Sequence, residues 1–295
     1  MTKFRDFFAF GVCCLAALHA AADDRRASDT PFKIEDFAPK KGRYTLNTSI
    51  GYSVTDSKEV NVTVVGTPLH HGVLLLPNVT LNNRRKDTLQ AGLGIRYAAT
   101  GRLNLSLGAK ADASRTLIRD NGGTRTEHAS GLRSVSAGAD YRITSPFQQP
   151  YVLAFGEIAL VEKSDNKTFH GRSAVLGASG HWAFDPVIVS LTGTYGYLRK
   201  RDSGGKSYDP GDVFGLGLSA GLAVNPEISL RAGVTQSFRT ADEINGVKGD
   251  WTSSTSLNLG YTHRLSPALV MNVSAQAGIA GNDTAQLLVG FTWRP

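Results

Sequence analysis

The sequence predicts an all-β protein, a transmembrane antiparallel up-and-down β-barrel of about twelve strands. Three observations support this fold class. Apolar and polar residues alternate over long stretches, short turns alternate with long polar loops, and aromatic residues recur at two heights along the predicted strands. The chain has 295 residues, a formal net charge of +7 and a pI near 9.4. Because a soluble β-sandwich could share those totals, the pattern has to decide between the two folds.

Residues 1–22 have the features of a cleaved signal peptide. A basic start and an apolar stretch over residues 7–18 precede three alanines at 20–22. The apolar stretch is too short for a permanent membrane helix. Both cysteines, Cys13 and Cys14, lie within it, so we expect no disulfide and no thiolate metal site in the mature chain. We therefore predict an exported protein of the Gram-negative outer membrane.

From residue 43 onward the chain alternates apolar and polar side chains in segments of about 10 to 14 residues, the length of a tilted membrane strand. Successive side chains of a strand point to opposite faces, so each segment has one apolar and one polar face. The segment 151–161 is an exception, because Tyr151 shares its parity with Glu157. Its facing stays open at this point. Residues 43–295 form the predicted barrel domain.

The connections between segments fall into two alternating sets. The predicted short turns are 98–101, 144–150, 184–186, 225–227 and 264–267. The predicted longer loops are 55–85, 116–130, 163–170, 199–211 and 241–250. Short turns at one end and long loops at the other are typical of the periplasmic and external ends of such a barrel.

Outward aromatic residues are predicted at both ends of the strands. Tyr44, Tyr97 and Tyr141 would lie near the short turns, whereas Tyr52, Phe214 and Phe238 would lie near the long loops. Two aromatic belts around an apolar band match two water–lipid interfaces, which favours the membrane barrel over a sandwich. The expected partners are outer-membrane lipid, lipopolysaccharide and the barrel-assembly machinery. An oligomer is neither indicated nor excluded.

The longest loop contains two valine- and leucine-rich stretches, 60–65 and 73–76, that predict a hairpin. An ordinary external hairpin and a hairpin that docks a partner or occludes the pore are both compatible with the sequence.

No enzymatic site is predicted. His128 and Ser130 have the residue types of a hydrolase pair, but they lie at an external loop end with no nearby group to orient the histidine. His181 is a single histidine beside Trp182, which is more typical of a satisfied polar residue than of a ligand. We predict no cofactor and no metal site. The positive charges are spread along the chain, so no nucleic-acid partner is expected either.

The polar face of the segments supplies the candidate functional residues. The predicted pore-lining side chains are Arg96, Lys110, Asp112, Asp140, Arg142, Glu157, Arg172, Arg231 and Arg239. Their basic excess would favour anions in a narrow passage. Cross-barrel ion pairing that simply fills the interior is an equally compatible interpretation.

Several phrases of the sequence resemble a known family. DPVIVSLTGTYGY (185–197), YDPGDVFGLGLSAGLAVNPEISL (208–230) and SSTSLNLGYTHRLSPALVMNVSAQAGIAG (253–281) resemble the barrel of the Fap-type functional-amyloid secretion channel, within a wider set of phenol-degradation-like outer-membrane barrels. The resemblance implies a twelve-stranded barrel that exports a polypeptide or another elongated substrate, with a periplasmic helical region and a plug in the lumen.

The segment before the barrel departs from that family, because residues 23–42 are too few for its coiled coil. They form either a flexible periplasmic leader or a short plug built on Phe32, Ile34 and Phe37. Three functions therefore stay open: an export channel for a secreted polypeptide, a passive channel for small solutes or hydrophobic compounds, and a filled barrel whose loops bind a partner.

Overall fold

The computed structural model describes residues 41–57, 61–69, 72–80, 84–120, 123–145, 149–164, 167–203, 206–281 and 283–295. The predicted signal peptide (1–22) lies outside the described residues, as do Phe32, Ile34 and Phe37 of the predicted leader or plug. The first described strand begins at Tyr44, one residue after the predicted start of the barrel domain.

The described residues form strands and no helix. The strands are β1 (Tyr44–Ser57), β2 (Asn61–Leu69), β3 (Gly72–Thr80), β4 (Arg84–Ala98), β5 (Leu103–Asp120), β6 (Gly123–Arg142), β7 (Tyr151–Ser164), β8 (Lys167–Phe169), β9 (Ser173–Phe184), β10 (Val187–Leu198), β11 (Arg201–Ser203), β12 (Lys206–Asp209), β13 (Val213–Ala223), β14 (Ile228–Arg239), β15 (Glu243–Ile244), β16 (Val247–Lys248), β17 (Thr252–Arg264), β18 (Leu269–Ala280) and β19 (Asp283–Trp293). Among these residues no helix is long and apolar enough to cross a membrane.

Twelve long strands close an antiparallel barrel, which confirms the predicted fold class. Around the ring they follow the order β1, β4, β5, β6, β7, β9, β10, β13, β14, β17, β18 and β19. The first and last strands pair, with Leu46 opposite Trp293 and Asp56 opposite Asp283. In the described barrel wall every long strand pairs with a neighbour on each side, so the backbone hydrogen bonds of the wall are made within the sheet.

The two faces of the barrel wall differ in polarity as the alternation predicts. Leu93, Leu107 and Leu216 point outward and are each more than 50% exposed. Asn104 and Ser53 point inward and are 4% exposed. A membrane barrel is apolar outside and polar inside, because apolar side chains are favourable in contact with lipid and polar side chains can be solvated in the lumen.

Outward aromatic residues occur at both ends of the strands. Tyr44, Tyr97 and Tyr141 are exposed near the short turns, which we call the short-turn end. Tyr52, Phe214 and Phe238 are exposed at the other, long-loop end. This placement agrees with the two predicted belts.

One predicted loop is wrong. Residues 116–130 were expected to be a long polar loop, but β5 and β6 continue through them and pair up to Asp120 and Gly123. Polar residues occupy both faces of this part of the hairpin. We attribute this to its position beyond the apolar band, where no face contacts lipid. The hairpin predicted within 55–85 is confirmed, since β2 and β3 pair as a separate two-stranded sheet.

Two loops at the long-loop end also pair with each other. In the sequence, β11 and β12 belong to the loop that connects β10 to β13, and β15 and β16 belong to the loop that connects β14 to β17. Tyr208 pairs with Ile244, so the four short strands form one small sheet, β11-β12-β15-β16. This sheet ties the two loops together beside the barrel mouth.

Candidate functional site

The barrel lumen is the candidate functional site. It contains a cavity of about 390 Å³ toward the short-turn end, lined by residues from all twelve barrel strands. Among the described residues that line it, five are arginine or lysine and one is a carboxylate. These are Arg96, Lys110, Arg231, Arg264, Arg294 and Glu157. Basic side chains therefore outnumber carboxylates in the described lining. Sequence analysis predicted this only in part, since Arg264 and Arg294 were not among its candidates.

Lys110 and Arg231 reach the cavity from opposite walls. Lys110 is on β5 and Arg231 is on β14, six strands away in the ring of twelve. The Lys110 Nζ atom is buried and has no hydrogen-bond partner among the described residues. The Arg231 guanidinium donates to Ser219 Oγ through Nε at 3.0 Å and Nη2 at 2.8 Å. Glu157, on β7, is the carboxylate beside Lys110.

Asp140 organises a buried ion cluster at the short-turn end. Its carboxylate lies 3.4 Å from Arg96 Nε, and it accepts a 2.6 Å hydrogen bond from Asn104 Nδ2. Arg142 donates from Nη2 to the carbonyl of Gly101 at 2.7 Å. Three predicted pore-lining residues, Arg96, Asp140 and Arg142, are thus held in wall contacts instead of projecting freely into the lumen. Here the alternative interpretation of ion pairing within the interior fits the geometry.

A second buried ion cluster lies at the long-loop end. Arg201 Nη2 contacts Glu162 Oε2 at 3.2 Å and donates to Ser173 Oγ at 2.9 Å. Ser173 in turn donates to Glu162 Oε1 at 2.5 Å. The guanidinium also lies over the Phe169 ring, 5.9 Å from its centroid. Sequence analysis missed this cluster, because Arg201 belongs to a loop strand and only the tertiary fold brings it over the inward side chains of β7 and β9.

The structure shows which face of β7 points into the barrel, a question that the sequence left open. This strand turns bulky residues inward. Tyr151 and Leu153 are 4% and 2% exposed and share the inward face with Glu157, whereas Ile158 points outward at 44%. The ring of Phe155 lies across Gly177 of β9, a position with no room for a side chain. The parity was ambiguous because this strand carries apolar side chains on both faces.

His181 faces the lumen next to Tyr151, at a ring-centroid distance of 6.1 Å. Its Nδ1 lies 2.7 Å from Ser190 Oγ and its Nε2 lies 3.0 Å from Ser179 Oγ. Both ring nitrogens are therefore engaged, in agreement with the interpretation of a satisfied polar residue. His128 and Ser130 are exposed on the β5–β6 hairpin.

The remaining candidates lie nearer the mouth. Asp112 is 3.7 Å from Arg133 Nε, and Arg133 is the extra residue where the β5–β6 register shifts. Arg172 precedes β9 and donates to the carbonyl of Lys200 at 2.9 Å, so it lies at the rim instead of deep in the lumen.

Arg239 is the last residue of β14, and its guanidinium interacts electrostatically with Tyr208 and Asp242. Tyr208 belongs to the small sheet at the long-loop end, and burial raises the pKa of its phenol. A phenol is neutral at physiological pH even at its ordinary pKa of about 10, so Tyr208 adds no negative charge beside Arg239.

The structure resembles several solved outer-membrane barrels. The structure resembles an outer membrane channel from Pseudomonas putida F1 with a TM-score of 0.63 at 14% identity, covering 92% of this chain and 100% of that one. It also resembles the translocator domain of the Neisseria meningitidis autotransporter NalP, with a TM-score of 0.55 at 11% identity over 89% and 92% of the two chains. The β domain of the Bordetella autotransporter BrkA matches with a TM-score of 0.51 at 9% identity, over 86% and 99%.

At these identities the likeness concerns the fold alone. The solved structures are described as an outer membrane channel and as autotransporter domains, and these descriptions belong to those proteins. No curated protein sequence matches the chain significantly. The Fap-type resemblance finds no support in these comparisons, whereas the wider phenol-degradation-like set does.

The sequence family described as "Putative MetA-pathway of phenol degradation" matches residues 115–294, which is 180 of the 295 residues. The match runs from the middle of β5 to the end of β19 and so includes most of the barrel wall. The chain therefore belongs to this family, whose wall is built here as a closed twelve-stranded barrel.

Proposed function

We propose that this chain is an outer-membrane channel for the passive passage of small solutes, with a preference for anions. The observation that carries the proposal is the lumen cavity, whose described lining has five basic side chains against one carboxylate. In a narrow passage with low-dielectric walls, fixed charges of one sign concentrate mobile ions of the other sign. The fold shared with an outer membrane channel supports the same function.

Single-channel recording of the refolded mature protein in a planar bilayer tests this function. We expect a steady conductance and, in a salt gradient, a reversal potential that indicates anion preference. A cation preference would contradict the proposed selectivity. Removal of residues 23–42 is the informative comparison. Similar conductance in both forms supports an unplugged channel, whereas conductance only after removal supports a plug formed by the leader.

Export of a polypeptide is the function implied by the Fap-type resemblance. Neither the family match nor the structural relatives support it, since the autotransporter likenesses concern the fold alone. A deletion strain distinguishes the two functions. A passive channel predicts altered permeability to small solutes with an unchanged set of secreted proteins, whereas an exporter predicts the reverse.

The contacts of the barrel with lipid, lipopolysaccharide and the assembly machinery stay predictions, as do an oligomeric state and a partner for the 55–85 loop. If the mature and truncated forms are both silent in the bilayer, the surface-interaction hypothesis would replace the channel. Loss of a surface interaction on removal of residues 61–80 would then be the result to seek.

A further inference from the structure

We infer that the lumen holds a binding site for a small organic monocarboxylate, between Lys110 and Arg231. The inference rests on the proposed channel function and names the class of solute. Its first support is Lys110, whose Nζ is buried without a hydrogen-bond partner among the described residues. A buried ammonium without a hydrogen-bond partner is costly, and a solute carboxylate that reaches it would supply that hydrogen bond.

Arg231 supplies the second cationic group, from the opposite wall of the same cavity. Its side chain is exposed to the lumen, and Ser219 fixes its orientation through two hydrogen bonds of 3.0 and 2.8 Å. A guanidinium held in this way is pre-organised, because little side-chain freedom remains to be lost when an anion binds. Both cationic groups line the same cavity, so a solute in it lies between two positive charges.

The charge balance around Lys110 favours a single negative charge. Glu157 is beside Lys110 and lines the same cavity. Its carboxylate would repel a second charge on the solute. Farther round the lining, Arg96 already has a partner in Asp140. A monocarboxylate therefore fits this environment better than a phosphate or a dicarboxylate.

The lining also offers apolar surface for the body of the solute. Tyr151, Val270 and Leu288 face inward, are 4%, 8% and 6% exposed, and line the cavity together with Lys110 and Arg231. The volume of about 390 Å³ is that of a small-molecule site. Sites of this kind combine a mostly apolar wall with a few placed polar groups. A compact carboxylate such as benzoate has both features.

Calorimetric titration of the detergent-refolded mature protein with benzoate tests the site, with benzyl alcohol as the uncharged probe of similar shape. We expect benzoate to bind and benzyl alcohol to bind at least tenfold more weakly. Lys110→Met and Arg231→Met should each weaken benzoate binding at least tenfold, whereas Lys110→Arg should restore most of it. Lys248→Met is the matched control, because Lys248 is exposed on β16 in the small sheet and should leave binding unchanged.

Equal affinity for the two probes, or full benzoate affinity in both methionine variants, would overturn the site. Heat-modifiable mobility in gels verifies that each variant is folded, and the Lys110→Arg variant separates a lost charge from a lost fold. The bilayer recording keeps the two proposals apart. A steady anion-preferring conductance with no benzoate binding overturns the site and leaves the channel, whereas binding without conductance supports the site and overturns the channel.

Discussion

The two facing walls of the lumen are built differently. The crowded wall, formed by β5, β6 and β7, turns charged and aromatic side chains inward, including the Asp140 cluster, Tyr151 and Leu153. The small-residue wall, formed by β13, β14 and β17, turns mostly glycine, serine and threonine inward. Its β13 positions are Gly215, Gly217, Ser219 and Gly221.

One glycine from each wall illustrates the contrast, which does not extend to every glycine, since a Cβ at Gly233 of the small-residue wall would meet Ser219 Cβ at 2.6 Å. On the crowded wall, a Cβ at Gly138 would meet the Ser106 hydroxyl and the Gly156 carbonyl at 2.9 Å, so glycine is required for close packing. On the small-residue wall, a Cβ at Gly217 would meet Thr235 Oγ1 at 3.6 Å, an ordinary contact. Glycine there leaves open space in the lumen. We therefore expect the crowded wall to contribute more stability and the small-residue wall to leave room for the passage.

The largest effect on stability is expected from Asp140→Ala. The substitution leaves Arg96 buried without its carboxylate, which costs about 3–5 kcal/mol of unfolding free energy. The matched change on the other wall is Asn258→Ala, which removes a 2.9 Å hydrogen bond to Thr235 Oγ1 and should cost about 1 kcal/mol. Urea unfolding in lipid vesicles, followed by tryptophan fluorescence, measures both. Equal losses would mean that the walls do not differ in their contribution to stability.

A large side chain on the small-residue wall should obstruct the passage. Gly217→Phe places a ring in the lumen where the backbone has room for a Cβ, so we expect single-channel conductance to fall severalfold. Leu218→Phe is the control, since Leu218 is the next residue and points outward with 58% exposure. Its conductance should match that of the unaltered protein. Unchanged conductance in Gly217→Phe would place the solute path elsewhere.

The smallest effect is expected from Ser219→Ala. It removes the acceptor of both Arg231 hydrogen bonds and should cost about 1 kcal/mol or less of stability, because the guanidinium can turn to water in the lumen. The anion preference should persist, since the charge is still present, while benzoate affinity should fall through the lost orientation. Reversal potential and calorimetry on the same sample check the two outcomes. A lost anion preference would show that orientation, not charge, sets selectivity.

Much of the fold was predictable because side chains that contact lipid must be apolar, while the inward side chains that alternate with them can be polar. Leu93 and Leu107 had to face outward and Asn104 inward, so alternation alone gave the facing of most strands. The rule failed where lipid no longer acts. In 116–130 the hairpin rises beyond the apolar band, and no sidedness marks its strands. In β7, apolar residues occupy the inward face as well, since Leu153 packs inside the barrel at 2% exposure.

The candidate site was predictable only as a set of inward residues. Parity placed Arg96, Lys110 and Asp140 inside the barrel, but it could not tell an arginine in an ion pair from a lysine whose ammonium has no hydrogen-bond partner among the described residues. Arg201 and Glu162 are 39 residues apart, and their contact requires a loop strand to fold back over the wall. Such contacts depend on loop geometry, for which the sequence has no periodic signal.

By itself the sequence determined the barrel class and the approximate strand number, because both follow from local periodicity and residue type. The tertiary structure alone decided which charges are paired and which wall is crowded. Ring closure and strand register set those outcomes, since they bring β5 opposite β14 and fix which inward side chains meet. Lys110 and Arg231 are 121 positions apart in the sequence and line one cavity only because the sheet closes on itself.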